Sequence, residues 1–364
     1  MPRRIGLMSF ELPTDSLDRR ADLLAWFVAH RRELPWRANR DAYRVWISEA
    51  MLQQTRVEAA LGHFERFIDA LPTLADLAVA SEDEVLALWS GLGYYSRARK
   101  LRAAAQVIAS DHDGEFPREL DAALALPGVG PYTAGAVLSI AYGAPVPLVD
   151  GNVERVLCRW FGWGGNPKQG ATKRALWDAA ARMLDGLGDA GEWNQALMEL
   201  GALVCTPRSP RCDDCPLAAG CVALASDRVA LLPELPERRK PVLVELEIAL
   251  CRKPGAWLLE RRPSGGRMAG LYEFPTRELG GGGSEGRLYP SAFASGELRA
   301  GESVGTLRHT ITHHKIEARA VTAAAGPLDS DGPLRWVPDR ELESLGLTGM
   351  TRKLLRAGFV DALR

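Results

Sequence analysis

Four of the chain's six cysteines fall between 205 and 221, as Cys205, Cys212, Cys215 and Cys221 in the spacing C-x6-C-x2-C-x5-C. Four thiolates this close together can enclose one metal centre. Zinc accepts four thiolates. A cubane iron–sulfur cluster does too, and longer spacers suit its larger size. The spacing leaves both open, along with four buried structural cysteines. A secreted disulfide scaffold would spread its cysteines through a small chain, whereas here only Cys158 and Cys251 lie elsewhere. Two carboxylates also stand out. Glu49 sits in the apolar, tryptophan-flanked run Val45-Trp46-Ile47-Ser48-Glu49-Ala50-Met51-Leu52. If its helix buries it, its pKa rises and it stays protonated, as a general acid must; the plainer alternative is a solvent-facing helix residue. Asp150, in Val149-Asp150-Gly151-Asn152-Val153, precedes a helical stretch, where an N-cap is the ordinary role. Two carboxylates in different environments are a recurring catalytic pair.

The stretch Leu126-Pro127-Gly128-Val129-Gly130-Pro131-Tyr132-Thr133-Ala134 lies between two helical segments. Gly128 and Gly130 permit a tight turn and close approach to a ligand, and Pro131 suits a first helical turn. The free N–H groups and dipole of that helix start form an anion site, here for a nucleic-acid phosphate. A lone G-x-G is also a plain turn, but L-P-G-V-G leading into an alanine-rich helix is the helix–hairpin–helix pattern. Overall charge gives no such indication: 45 Lys and Arg against 46 Asp and Glu leave a net charge of −1. Any phosphate-binding surface is therefore local. Arg97, Arg99, Lys100 and Arg102 form one candidate patch, with a solvated helix face as the commoner alternative.

These residues are positioned by a chain of 364 residues, long enough for two domains. Residues 16–225 read as successive helices, with Leu23, Leu24, Phe27 and Val28 at helical spacing. Thr73, Ser81 and Thr172 are expected helix starts, Ser81 with Glu84 as a capping box. The proline-rich run 226–241 reads as a linker. Beyond it, residues 242–249, 256–260 and 314–321 read as strands. Gly280 to Gly283 reads as a loop, and 340–345 and 351–357 as helical. The expected fold is thus an all-α helical domain over 1–225 with the cysteine loop, a linker over 226–241, and a small α+β domain over 242–364. No apolar run approaches the roughly 18 residues that span a membrane, and Met1-Pro2-Arg3-Arg4 has no apolar core behind it. A cytoplasmic monomer with no membrane association is expected.

The order hairpin, Asp150, then four cysteines resembles the endonuclease III superfamily over roughly residues 20–225. Three features resemble its adenine DNA glycosylase (MutY-type) branch. One is Leu34-Pro35-Trp36-Arg37 followed by the Glu49 helix. Another is Tyr132, where bifunctional relatives carry a Schiff-base lysine. The third is Leu258-Leu259-Glu260-Arg261-Arg262-Pro263 with Leu271-Tyr272-Glu273-Phe274-Pro275, which is similar to a Nudix fold. The acidic R-E-x-x-E-E helix of Nudix hydrolases does not follow; Thr276-Arg277-Glu278-Leu279 does. The resemblance implies a monofunctional base-excision enzyme that removes adenine opposite 8-oxoguanine or guanine in double-stranded DNA. Glu49 is then the general acid and Asp150 the stabiliser of an oxocarbenium-like sugar, with Asn152 and Tyr132 positioning.

The resemblance further implies a [4Fe–4S] cluster on Cys205, Cys212, Cys215 and Cys221, shaping a loop whose Arg208 and Arg211 contact phosphate. Leu52, Gln54 and Tyr94 resemble the wedge and gap-filling elements needed to extrude a base, although Tyr94 and Tyr95 equally suit aromatic packing. Arg37 and Gln195 are expected in the base pocket, or else in a salt bridge and on a helix surface. The C-terminal domain is implied to read the lesion. Where the family commonly has Phe-Ser-His, this sequence has Ile311-Thr312-His313: a hydroxyl is kept and an aromatic stack is lost. His309, His313 and His314 otherwise read as strand-edge residues. The rival readings are a bifunctional or thymine-mismatch glycosylase, a non-catalytic DNA-damage sensor, and a Nudix pyrophosphatase with a helical appendage.

Overall fold

The computed structural model describes residues 12–13, 15–237, 240–263, 267–281, 293, 298–328 and 332–357. The N-terminal Met1-Pro2-Arg3-Arg4 and part of the glycine run, Gly282-Gly283, lie outside the described residues. Helices α1 (Arg20–His30), α2 (Ala42–Leu52), α3 (Val57–Ala70), α4 (Leu74–Val79), α5 (Glu82–Leu88) and α6 (Ser96–Asp111) come first. Then follow α7 (Leu120–Ala125), α8 (Pro131–Tyr142), α9 (Gly151–Trp160), α10 (Gly170–Arg182), α11 (Ala190–Leu203) and the single turn α12 (Val222–Ala225). The C-terminal part holds β1 (Val242–Leu250), β2 (Arg252–Lys253), β3 (Ala256–Arg261), β4 (Tyr272–Glu273) and β5 (Thr276–Gly281). It continues with β6 (Leu298–Ile311), β7 (His314–Ala325), β8 (Leu334–Pro338) and α13 (Gly349–Arg356).

The chain packs as two compact units, residues 1–57 with 107–237 and residues 58–106 with 238–364. In the first, α8 is buried almost throughout and packs against α2, α7 and α11. That burial explains its lack of an amphipathic pattern: a helix covered on all sides is apolar on all sides. Local rules fix the starts. Asp41 caps α2 through Arg44 N, Asp150 caps α9 and Asp189 caps α11. Thr73 forms a full capping box with Asp76, and Ser81 caps α5 by accepting from Glu84 N. Thr172 is not a cap. Gln169 occupies that position, and Thr172 is buried with its hydroxyl on Gly164 O. The proline-rich run begins docked: Leu232 is buried, its carbonyl accepts from Arg159 Nε at 2.9 Å, and Glu234 accepts from Gly165 N at 2.8 Å.

In the second unit one sheet has the order β5-β1-β7-β6, with β1 and β7 parallel and the other pairs antiparallel. A second sheet joins β2, β3, β4 and β8 around β3. The alternation of β1 divides its side chains between two cores. Val244, Leu246, Ile248 and Leu250 join Trp257, Phe274 and Ile316, while Ala249 joins Leu258 and Val321. Glu247 lies between its register partners Arg277 of β5 and Arg319 of β7 and pairs with both. Gly280 and Gly281, expected in a loop, continue β5, because β1 offers them ladder positions at Glu245 and Val244. Residues 339–344 form a 3-10 turn. Among the described residues no helix is long and apolar enough to cross a membrane.

Candidate active site and iron–sulfur loop

Glu49 is 5% exposed, on the α2 face turned towards α8. Burial raises its pKa from the ordinary 4.5 to about 7, against the lowering effect of a hydrogen bond from Tyr132; Asp150 adds a further rise and Arg37 a further lowering. Tyr132, in the first turn of α8, donates its hydroxyl to Glu49 Oε2. Its own pKa is pushed well above 10, by burial first and the Glu49 charge second. It therefore holds its proton and serves as a donor. Among the described residues Glu49 Oε1 accepts no hydrogen bond.

Asp150 is both an N-cap and a member of the site, so the two readings of the sequence do not compete. Its Oδ1 accepts from Asn152 N at 2.9 Å and Val153 N at 2.8 Å, and its Oδ2 from Asn152 Nδ2 at 2.9 Å. Burial raises its pKa and these three bonds oppose the rise; the net displacement is upward from 3.8. A single cavity of about 150 Å³ is lined by Glu49, Tyr132, Asp150 and Asn152 together with Arg37, Leu52 and Gln195. That is small beside the roughly 300–1,000 Å³ of sites for drug-sized ligands, and suits one flat base.

Several residues of this cavity were not expected from sequence. Glu199, 1% exposed, accepts from Arg32 N, Nε and Nη2, each at 2.9 Å, and from Arg37 Nη2 at 3.0 Å. Burial would raise Glu199, but the Arg32 and Arg37 bonds outweigh it and hold the carboxyl at about 2. Arg37 is thus both salt-bridged and in the pocket. Met198 places its sulfur 3.7 Å from the Tyr132 hydroxyl. The signal was the helical period of α11: Gln195, Met198, Glu199 and Ala202 lie at i, i+3, i+4 and i+7 and all line the cavity. Arg155 was also missed. It donates to Asn152 Oδ1 at 2.8 Å, Gly201 O at 2.8 Å and Cys205 O at 2.7 Å, and so ties the Asp150–Asn152 pair to the start of the cysteine loop.

The four thiols line one cavity with Arg159, Val204 and Pro210. Arg159 Nη1 lies 3.4 Å from Cys205 Sγ, and the same side chain donates to Thr206 O at 2.7 Å and Pro207 O at 3.3 Å. An all-sulfur donor set in an apolar wall with a guanidinium beside it fits an anionic metal–thiolate centre. Arg208 is exposed, whereas Arg211 donates to Leu203 O at 3.0 Å.

Among the described residues seven non-glycine residues have left-handed φ, and Gln54 (φ 60°), Tyr94 (φ 48°) and Thr312 (φ 54°) are three of them. Each such residue costs on the order of 1–2 kcal/mol, and such cost concentrates at functional positions. Gln54 is exposed after the end of α2. Tyr94 is 49% exposed, while Tyr95 is core. Thr312 and His313 form the two-residue turn between β6 and β7. His314 is not an edge residue but fully buried, its ring 4.1 Å from that of His313 and its Nδ1 3.3 Å from Arg267 Nη1. Gly128 has φ 78°, as its turn requires; Gly130 is extended and caps α8 with no side chain over the helix end. In the basic run before it in sequence, Lys100 is exposed, whereas the three arginines are committed within the fold. Arg97 donates to Leu92 O and Gly93 O, Arg99 pairs with Glu82, and Arg102 donates to Ala80 O.

Residues 47–182 match the model of the HhH-GPD superfamily of base excision DNA repair proteins, residues 205–221 the iron-sulfur binding domain of endonuclease III, and residues 248–357 the NUDIX domain. With the paired carboxylates and the hairpin, these define a base-excision DNA glycosylase of the helix–hairpin–helix class, joined to a Nudix-type domain. The adenine DNA glycosylase of Rattus norvegicus is 34% identical over 93% of this chain and 77% of its own length. That of Homo sapiens is 34% identical over 93% and 73%. A thermostable thymine-DNA glycosylase of known structure, 30% identical, matches with a TM-score of 0.53 over 58% of this chain and 99% of its own. The chain belongs to the adenine DNA glycosylase family. It carries a [4Fe–4S] cluster in the cysteine loop.

Proposed function

We propose that the protein is a monofunctional glycosylase that hydrolyses the N-glycosidic bond of adenine opposite 8-oxoguanine or guanine in double-stranded DNA. The observation that carries this reading is a buried carboxyl raised to about 7 and hydrogen-bonded by Tyr132, in one cavity with a second, capped carboxylate. Glu49 donates a proton to N7 of the extruded adenine, which makes the base a better leaving group. The bond from N9 to C1′ breaks with its electrons going to the base, and positive charge is left on the sugar. Asp150, oriented by Asn152, opposes that charge. Water supplies the hydroxyl to C1′ and returns a proton to the enzyme. Tyr132 has no amine with which to form a Schiff base, so the strand is not cut. Gln195 and Arg37 border the base, Leu52, Gln54 and Tyr94 enter the opened duplex, and Gly128 and Gly130 expose the α8 N–H groups to a phosphate. Cys205, Cys212, Cys215 and Cys221 hold the cluster, which supports the loop that carries Arg208 and Arg211.

Residues 1–225 would act as the catalytic domain, 226–241 as linker, and 242–364 as the lesion reader through Thr312 and His313. The enzyme works as a cytoplasmic monomer. The test is single-turnover excision from duplexes with adenine opposite 8-oxoguanine, guanine or thymine, and thymine opposite guanine. Fast loss of adenine opposite 8-oxoguanine, with strand breaks only after alkali, is expected. Thymine loss without adenine loss would move the reading to a mismatch-thymine enzyme, and a borohydride-trapped DNA adduct would overturn the monofunctional assignment.

A further inference from the structure

Tyr94 is a half-exposed aromatic in a strained backbone, at the tip of the turn between α5 and α6. What holds it there is spelled out in hydrogen bonds. Inside the turn, Trp89 Nε1 donates to Gly93 O at 3.2 Å, and the Arg97 guanidinium lies over the Trp89 and Tyr94 rings while donating to Leu92 O and Gly93 O. At the base of the turn stands Ser90, which is buried. Its partners come from the Nudix-type domain. Its hydroxyl donates to Leu347 O at 3.0 Å and accepts from Arg352 Nε of α13 at 2.5 Å. Arg352 reaches back to Leu345 O at 3.4 Å. Between these residues Gly346 lies so close to α5 and to Leu271 that a Cβ would meet Leu86 Cβ and Leu271 Cδ2 at 2.9 Å each. This is a tight contact made by backbone and a doubly hydrogen-bonded hydroxyl, with no room for a side chain at Gly346.

We infer that Arg352, acting through Ser90, is a positioning residue by which the Nudix-type domain holds the Tyr94 turn in its DNA-probing form. The domain would then contribute to discrimination twice, by its own Thr312–His313 turn and by fixing Tyr94. The buried Ser90 hydroxyl is held by one bond that it donates and one that it accepts, so losing the guanidinium removes one of its two anchors, and the turn above it relaxes. This rests on the reading that the enzyme distinguishes 8-oxoguanine from guanine opposite adenine.

The test is the ratio of single-turnover rates on those two duplexes for the full-length, cluster-loaded protein and its Arg352→Ala, Arg352→Lys and Ser90→Ala variants. We expect the ratio to fall about tenfold in Arg352→Ala and Ser90→Ala, mostly through the 8-oxoguanine duplex, with partial recovery in Arg352→Lys. The Tyr94→Ala variant should show the same reduced ratio, and Arg352→Ala should reduce it no further in that background. Equal slowing on both duplexes would mean that Arg352 merely supports the fold, and an unchanged ratio that it does not act on the turn; either overturns the inference. Should Arg352→Ala fail to fold, Ser90→Ala decides on its own. Wild-type protein without any preference between the duplexes would remove the lesion-reading assignment and this inference together.

Discussion

At the scale of single residues, the buried Glu49 carboxyl is kept protonated at the expense of stability. Glu49 titrates at about 7 in the folded protein and at an ordinary 4.5 when exposed. Between those values the folded state binds a proton that the unfolded state has lost, so stability falls as pH rises through that window and levels off above it. The lost stability is about 3 kcal/mol at most. Glu49→Gln should therefore unfold at a higher temperature than wild type at pH 8, with the difference shrinking towards pH 4.5, while losing base excision. A variant equally stable at both pH values would show that Glu49 is not buried as described. The same group shapes the rate profile. Excision should decline about tenfold per unit above pH 7 as Glu49 ionises. It should also decline in acid as Asp150, whose pKa is displaced above 3.8, takes up a proton. A profile flat from pH 6 to 9 would remove Glu49 as the acid. Glu49, Asp150 and the cysteines were legible in sequence because each stands in a short local pattern of unusual chemistry. The Arg32–Glu199–Arg37 fork was not, since its partners are more than 160 positions apart and a buried glutamate in a helix carries no local sign of what will neutralise it.

At the scale of elements, α9 shows how one helix does structural and chemical work from one end. Asp150 satisfies two backbone donors that every helix start leaves open. Asn152 and Arg155 then carry the connection along the helix to Cys205 O. Asp150→Asn should retain the cap, because asparagine is as good an N-cap as aspartate, but its amide would face Asn152 Nδ2 and lose that bond, costing about 1 kcal/mol. The rate should fall by about a hundredfold or more, since a fixed charge facing a developing cation is removed. Denaturation and single-turnover kinetics on the same preparation would settle the role. A rate loss no larger than the loss of folded protein would reduce Asp150 to a cap. The legibility of elements followed their burial pattern. Strands β1, β3 and β7 alternate or run apolar and were read in sequence. Strand β6 was not: it is an edge strand with only Leu298 and Leu307 of its fourteen residues buried, and bulges near Ser303 break its period. Strand β8 is five residues long and gains its identity from pairing with β3.

At the scale of the whole molecule, a chain of net charge −1 must bind a polyanion through local cations and helix N-termini. Most arginines near the candidate DNA-facing turns are already committed to carbonyls and carboxylates: Arg97 and Arg102 to backbone, Arg99 to Glu82, and Arg155 and Arg159 to the cysteine loop. Their work is to hold loops, and the residues left for phosphate are few. Arg208 is one, exposed beside the strained Ser209 in a loop anchored by Arg159 and by the cluster. Two consequences separate the charge from its scaffold. Arg208→Ala should weaken binding to specific and non-specific duplex alike and lower the slope of log K against log salt by about 1, leaving the preference for adenine opposite 8-oxoguanine over adenine opposite thymine unchanged. Cys215→Ser, or chelation of the iron, should cost more than that one phosphate contact. Without the cluster the loop loses its centre, the Cys205 carbonyl that Arg155 grips becomes mobile, and Asn152 is held less firmly against Asp150. Helical circular dichroism should persist, because α2 and α11 pack against α8 within the helical core, while DNA affinity and the excision rate of the bound complex should both fall. If iron-depleted protein bound DNA as tightly as the loaded form, the loop would have no part in DNA contact, and Arg208 would be a solvated arginine like any other.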